Sequence, residues 1–174
     1  MLGLKRGTVA LLPHQSAWEE NARDTIALLW TVLEGVDVDI QHVGSTAIHH
    51  IHAKPIIDLA VGVRSLEDIM PLVPRLAEIG VIYRNADQPG QQLFVMGDFE
   101  KEIRTHHVHV VEVSNSAWRN YILFRDYLNA HPEKAVLYDE LKQRLFIRYA
   151  DNRGAYTAGK QELISKLLKE AAQQ

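Results

Sequence analysis

The sequence predicts an α/β (α+β) chain, a mixed β-sheet flanked by helices with a C-terminal helical part. Three observations carry that reading. Segments of period-two hydrophobicity alternate with segments of helical period as far as about residue 113. One of them, residues 56–63, is apolar nearly throughout, as a central strand covered on both faces would be. From about residue 114 only helical spacing is left. At 174 residues the chain suits one domain, about 1–113 forming the sheet core and about 114–174 the helical part.

Residues 9–12 read as a short strand ended by Pro13. Ser16 and Glu19 read as a capping box for a helix reaching about Glu34, with Trp18, Ala22, Ile26, Leu29 and Leu33 on its buried face and Gly35 as its stop. Residues 38–43 alternate as a strand, and 56–63 form the next. Ser65 with Asp68 caps a helix up to about Ile79 and Gly80, irregular at Pro71 and Pro74. Further strands are expected at 81–84, 93–96 and 105–113, with a turn at 87–92. Three helices follow at about 117–130, 132–149 and 156–172, Pro132 suiting a first helical position and Leu137, Leu141 and Leu145 serving as core.

Composition excludes several classes. Hydrophobic residues at 47% and charged residues at 24% describe an ordinary folded protein, not a disordered or fibrous one. A net charge of -3 argues against a general nucleic-acid binder. Without cysteine, any metal must be held by His, Asp, Glu or carbonyl oxygen. The first residues lack the apolar h-region of a signal peptide and no run is long enough to span a bilayer, so a cytoplasmic protein with no membrane partner is expected.

The chemistry concentrates in HVGSTAIHHIHAKPIIDLAVGV, residues 42–63. A Gly44-Ser45 turn can bring N–H groups and a hydroxyl to a phosphate, and a carboxylate in the neighbouring strand can hold a divalent ion. Asp58 stands inside an apolar strand, which costs several kcal/mol unless it is paired, hydrogen-bonded or metal-bound. It shares a face with the small residues Ala60 and Gly62, leaving room for a ligand. The second cluster is RTHHVHVVE, residues 104–112, where alternation puts His107 and His109 on one face and His106 and Glu112 on the other. Histidines at i and i+2 on a strand converge on one point, a common metal-ligand spacing. Seven of nine histidines fall in these two segments, and adjacent strands would gather them around Asp58. The alternating-histidine signature of histidine-triad hydrolases is incomplete, because Val111 stands at its third position.

Several blocks in order, His42-Val43-Gly44-Ser45-Thr46, Lys54-Pro55-Ile56-Ile57-Asp58, the His107 to Val110 strand, Phe124 to Leu128 with Ala130-His131-Pro132, and Tyr138 to Lys142, resemble the GrpB (UPF0157-type) family over nearly the whole chain. The resemblance implies a nucleotidyltransferase-like fold; some members are fused to dephospho-CoA kinase. In that superfamily a Gly-Ser turn precedes a strand with two alternating acids and a later third acid, which hold two metals against a nucleoside triphosphate. Gly44 and Ser45 match the turn, with Thr46 and Lys54 beside it, and Asp58 matches the first acid. Ala60 stands where the second is required. His107 and His109 are its natural substitutes, favouring manganese, zinc or iron over magnesium; Glu112 is a weaker third acid. Where family members often carry Pro-Gly, this chain has His49-His50.

Lys54 and Arg104 are candidates to neutralise phosphate, Arg125 to face the site beside Asp126, and Tyr156 with Lys160 to form a rim. The leading expectation is a metal-binding, nucleotidyltransferase-like protein that binds a nucleotide or related phosphate compound and a divalent ion (Mn²⁺, Zn²⁺ or Mg²⁺), with nucleotidyl transfer as its candidate reaction. In it, Asp58, His107 and His109 are both metal ligands and catalytic groups. The alternatives are an inactive nucleotide- or CoA-like-ligand-binding or regulatory module, which Ala60 favours, and a metal-dependent phosphoester hydrolase.

Overall fold

Along the chain, the computed structural model, which describes residues 1–84 and 89–174, runs β1 (Leu4–Lys5), α1 (Ala17–Leu33), β2 (Val38–Val43), β3 (Ile57–Val63), α2 (Val73–Glu78), β4 (Ile82–Arg84), β5 (Gln91–Met96), β6 (Ile103–Arg104) and β7 (His106–Glu112). Four helices follow: α3 (Ser116–Ala130), α4 (Pro132–Arg148), α5 (Arg153–Ala158) and α6 (Gln161–Ala171). Among the described residues the main sheet has the order β2-β3-β7-β5-β4, and β1 pairs β6 apart from it. Only β3 and β7 run parallel, so the sheet is mixed.

Strand alternation splits this sheet into two unlike faces. One carries Ile57, Leu59, Val61, Val63, Val108, Val110 and Phe94, all 3% exposed or less, against α1 and α2 residues such as Trp18, Leu29, Leu33 and Leu76. Fully burying each such side chain contributes roughly 1.5–3 kcal/mol. The other face carries Asp58, Ala60, His107 and His109, and α3 packs against β2, β3 and β7. The C-terminal helices hold together around Ile48, Ile51, Tyr127, Leu128, Tyr138 and Leu167.

Several expectations are corrected. Residues 9–12 form no strand; Leu12 makes only an isolated bridge to Ala53, and Val9 and Leu11 pack instead with Leu145 and Tyr156. Ser16 is already helical in backbone and its side chain caps nothing, because Trp18 and Glu19 N–H groups bond the carbonyls of Gln15 and Ser16, so the capping box is absent. The Ser65–Asp68 capping box does form, but it heads a 3-10 turn, Leu66–Asp68, followed by another, Met70–Leu72. The prolines at 71 and 74 leave α-helical hydrogen bonding only to the short α2. Of the turn expected at 87–92, Asp87 and Gln88 lie outside the described residues, and Gln91 and Gln92 already belong to β5. The strand expected at 105–113 is β7 alone.

The single helix expected at 156–172 is two. Gly159 sits at the corner, where an added Cβ would lie 2.5 Å from Leu145 Cδ2, and past the bend α5 packs on α4 while α6 packs mainly on α3. Leu137 is 39% exposed and is not core; Ala135, Tyr138 and Leu145 fill that role on α4.

Candidate functional site

The strands carrying Asp58 and the histidine pair are hydrogen-bonded neighbours. In the parallel register of β3 and β7, Asp58 lies opposite His107 and Ala60 opposite His109. Asp58 Oδ1 stands 3.1 Å from His107 Nδ1 and 3.5 Å from His109 Nε2. One ligand atom from each of the three lies within 4.8 Å of the others. Ligands about 2.0–2.2 Å from a tetrahedral ion are about 3.4 Å apart, and the two distances from Asp58 lie close to that edge. Burial pushes the Asp58 carboxyl up, but hydrogen bonds from His107 and His109, with their charges, outweigh it and hold the group below its ordinary range. Asp58 is therefore ionised, as a metal ligand must be.

The turn before it is built to press on this carboxylate. Gly44 has φ 70° and ψ −170°, a conformation open essentially to glycine, and an added Cβ would lie 2.6 Å from Asp58 Oδ2. Gly44→Ala is expected to cost about 3 kcal/mol, part backbone strain and part displacement of Asp58. Thermal and denaturant unfolding check this, and an unchanged stability would remove the packing role assigned to Gly44.

Two cavities meet at Asp58. The first, about 270 Å³, is lined by Ser45, Lys54, Asp58, Arg104, Lys142, Arg153 and Lys160 among others, and is strongly basic. Burial, then the charges of Lys160 and Arg153, lowers Lys54 to about 8; burial lowers Lys142 to about 7. The Lys142 ammonium, 1% exposed, donates to the His52 carbonyl and stands 3.6 Å from Asp139. Arg104 stacks on Phe99 at 4.6 Å, and its buried Nη1 has no hydrogen-bond partner among the described residues. Crowded cations and the unspent Arg104 donor give this cavity a charge complementary to an anion. The second cavity, about 380 Å³, shares Ser45, Asp58 and Lys160 with the first and adds Tyr121, Phe124 and Tyr138. Tyr121 lies against His109, ring centroids 5.3 Å apart.

Not every expected residue joins this centre. Ser45 lines both cavities while hydrogen-bonding Tyr138. The Thr46 hydroxyl is engaged by His42 Nε2 at 2.9 Å. Lys54 and Lys160 stack on Tyr156 at 4.2 and 4.9 Å, and Tyr156 and Lys160, expected to form a rim, both line the basic cavity. Arg125 donates to Gln41 Oε1 and the His42 carbonyl, each at 2.9 Å, and ties α3 to β2. Glu112 accepts from Leu66 N–H on the far face. The histidines do not all surround Asp58: His106 bonds Thr25 on the far face, His52 bonds Asp139, and His49 pairs with Glu19. Nor does Gly62 leave room beside Asp58, since the Trp118 ring fills that space. The sequence reading missed Lys142, Arg153 and Tyr121, which enter from helices far along the chain; Lys142 lies among Asp139, Glu140, Gln143 and Arg144, so no local pattern marks it.

The profile of the family described as GrpB protein matches residues 8–170. The chain is 39% identical over 173 residues to "Glutamate-rich protein GrpB" of Alkalihalophilus pseudofirmus, covering 98% of this chain and 99% of that one. A UPF0157 protein of Pseudomonas aeruginosa is 35% identical over 162 residues, 92% of this chain and 66% of its own. The crystal structure of conserved protein GrpB from Enterococcus faecalis superimposes with a TM-score of 0.85 at 30% identity, covering 94% and 98% of the two chains. Cid1 poly(U) polymerase, in its MgGTP-bound structure, gives a TM-score of 0.56 at 12% identity over 79% of this chain and 44% of its own, a likeness of fold to a nucleotidyltransferase. Matched along nearly its whole length by a family profile and by a relative of equal extent, the chain belongs to the GrpB family.

Proposed function

We propose that the protein binds a divalent metal ion at Asp58, His107 and His109 and a nucleotide or related phosphate compound beside it, with nucleotidyl transfer as its reaction. The observation that carries this reading is the convergence of three ligand atoms at the junction of a basic and an aromatic cavity. An ion held there would neutralise phosphate charge and activate an acceptor. Lys54, Lys142, Arg104 and Arg153 supply positive charge along the phosphates, and Tyr121, Phe124 and Tyr138 offer ring faces to a base. Ser45 and Lys160, lining both cavities, lie where the two parts of such a ligand would join.

Ala60 supports a second reading, a ligand-binding module without turnover. It is fully buried where the superfamily resemblance requires an acid. Its register partner, however, is His109, so an imidazole on the next strand reaches Asp58 from beside the missing carboxylate. Metal analysis of tag-free protein, with a thermal-shift series of nucleoside triphosphates with and without Mn²⁺, tests the binding part. Product chromatography then separates the reactions: pyrophosphate with a nucleotidylated acceptor supports transfer, phosphate release supports hydrolysis, and Mn²⁺-enhanced binding without product supports the module. Failure to bind both metal and nucleotide would overturn all three.

A further inference from the structure

We propose a second metal site, formed by His14, Glu19 and His49 and suited to a late first-row divalent ion such as Zn²⁺. Its three residues come from three parts of the chain: the segment before α1, the first turn of α1, and the turn after the Gly44-Ser45 loop. Glu19 Oε1 lies 3.5 Å from His14 Nε2 and 3.3 Å from His49 Nδ1. Both distances are close to the edge of a tetrahedron around an ion with bonds of about 2.0–2.2 Å, about 3.4 Å. One ligand atom from each residue lies within 4.8 Å of the other two.

The ligands are held in place by other contacts. His14 packs edge-on against the buried Trp18 ring, centroids 5.8 Å apart. This contact leaves His14 Nε2 on the side of Glu19, while its buried Nδ1 has no hydrogen-bond partner among the described residues. The backbone N–H of His49 donates to Asn129 Oδ1 at 2.9 Å, and Asn129 in turn donates to the Ala47 carbonyl at 3.0 Å, which pins the turn to α3. Glu19 is free to serve because the Ser16 capping box does not form. Two imidazoles and one carboxylate suit zinc, nickel or copper and disfavour magnesium and calcium, which prefer oxygen. Half-exposed Glu19 and His49 leave the remaining coordination positions to water. The ion would clasp the N-terminal segment and α1 to the loop that carries Gly44 and Ser45, five and four residues before His49.

The test is a Zn²⁺ and Co²⁺ titration of the full, tag-free chain carrying His107→Ala and His109→Ala, which removes the Asp58 set. The expected result is one remaining equivalent of Zn²⁺, visible bands of tetrahedral Co²⁺, and a Zn²⁺-dependent rise in Tm. Adding His49→Ala, a change at an exposed side chain, is expected to weaken binding more than tenfold and abolish both the bands and the rise; His14→Gln serves as the second variant. Absence of Zn²⁺ binding in the His107/His109 background, or binding unchanged by His49→Ala and His14→Gln, would overturn the site. Neither outcome touches the Asp58 reading, which is tested by the reverse combination.

Discussion

Asp58→Asn is expected to lower divalent-metal affinity by about 100-fold or more. The carboxylate is the anionic member of a set otherwise made of two imidazoles, and its Oδ1 is the atom both histidines approach. Amide oxygen keeps the shape but loses the charge, and even partners one step removed from a metal typically change affinity 10–100-fold when altered. Because hydrogen bonds and charge from His107 and His109 outweigh burial at this carboxylate, the same change is also expected to lower the stability of the metal-free fold. His107→Ala and His109→Ala should each have a smaller effect, since each removes one neutral ligand. The measurement is a competition titration with Mn²⁺ and Zn²⁺ in a His49→Ala background, so that the His14–Glu19 cluster contributes nothing. Full affinity in Asp58→Asn would place the metal elsewhere.

What the sequence disclosed of this centre follows from its reliance on strand alternation. Asp58, His107 and His109 were legible because period two fixes the face of each side chain without knowledge of the turns. Their meeting depended on β3 pairing β7 so that residues 49 positions apart meet, and register between distant strands is written in packing, not in local pattern. The same limit hid the basic cavity. Lys142 sits beside Glu140, Gln143 and Arg144 on α4 and reads as an ordinary helix lysine until α4 is seen to bring it under the His52 carbonyl. Errors at the ends of elements have local causes. Residues 9–12 have strand composition, yet Val9 and Leu11 find helix side chains to pack on, and Ser16 is rendered superfluous as a cap by backbone bonds. Small residues beside Asp58 suggested space, but Gly62 is small because an indole needs its place.

Polyphosphate affinity, measured without metal, is expected to fall 10- to 100-fold between pH 7 and pH 9 while the ligand-free protein grows more stable over the same range. Both signs come from the same lysines. Burial lowers Lys142 to about 7, and burial with the charges of Lys160 and Arg153 lowers Lys54 to about 8. Above those values the free protein holds them neutral, whereas an anion in the cavity favours their charged forms, so binding takes up protons. Affinity then falls by up to about one decade per pH unit for each lysine titrating. For stability the reference is the unfolded chain, where lysine titrates near 10.4. Between about 7 and 10 the unfolded state binds more protons than the folded one, and the free energy of unfolding rises with pH. A general loosening of the fold in alkali would lower affinity and stability together, and the opposed signs separate that explanation from this one. Calorimetry of inorganic tripolyphosphate at pH 7, 8 and 9, in buffers of unlike ionisation enthalpy, reads the proton uptake directly. Lys142→Met should flatten both dependences, because the methionine keeps the buried stem and removes the titrating group. An affinity constant across this range in the wild-type protein would show that Lys142 and Lys54 do not face the bound anion.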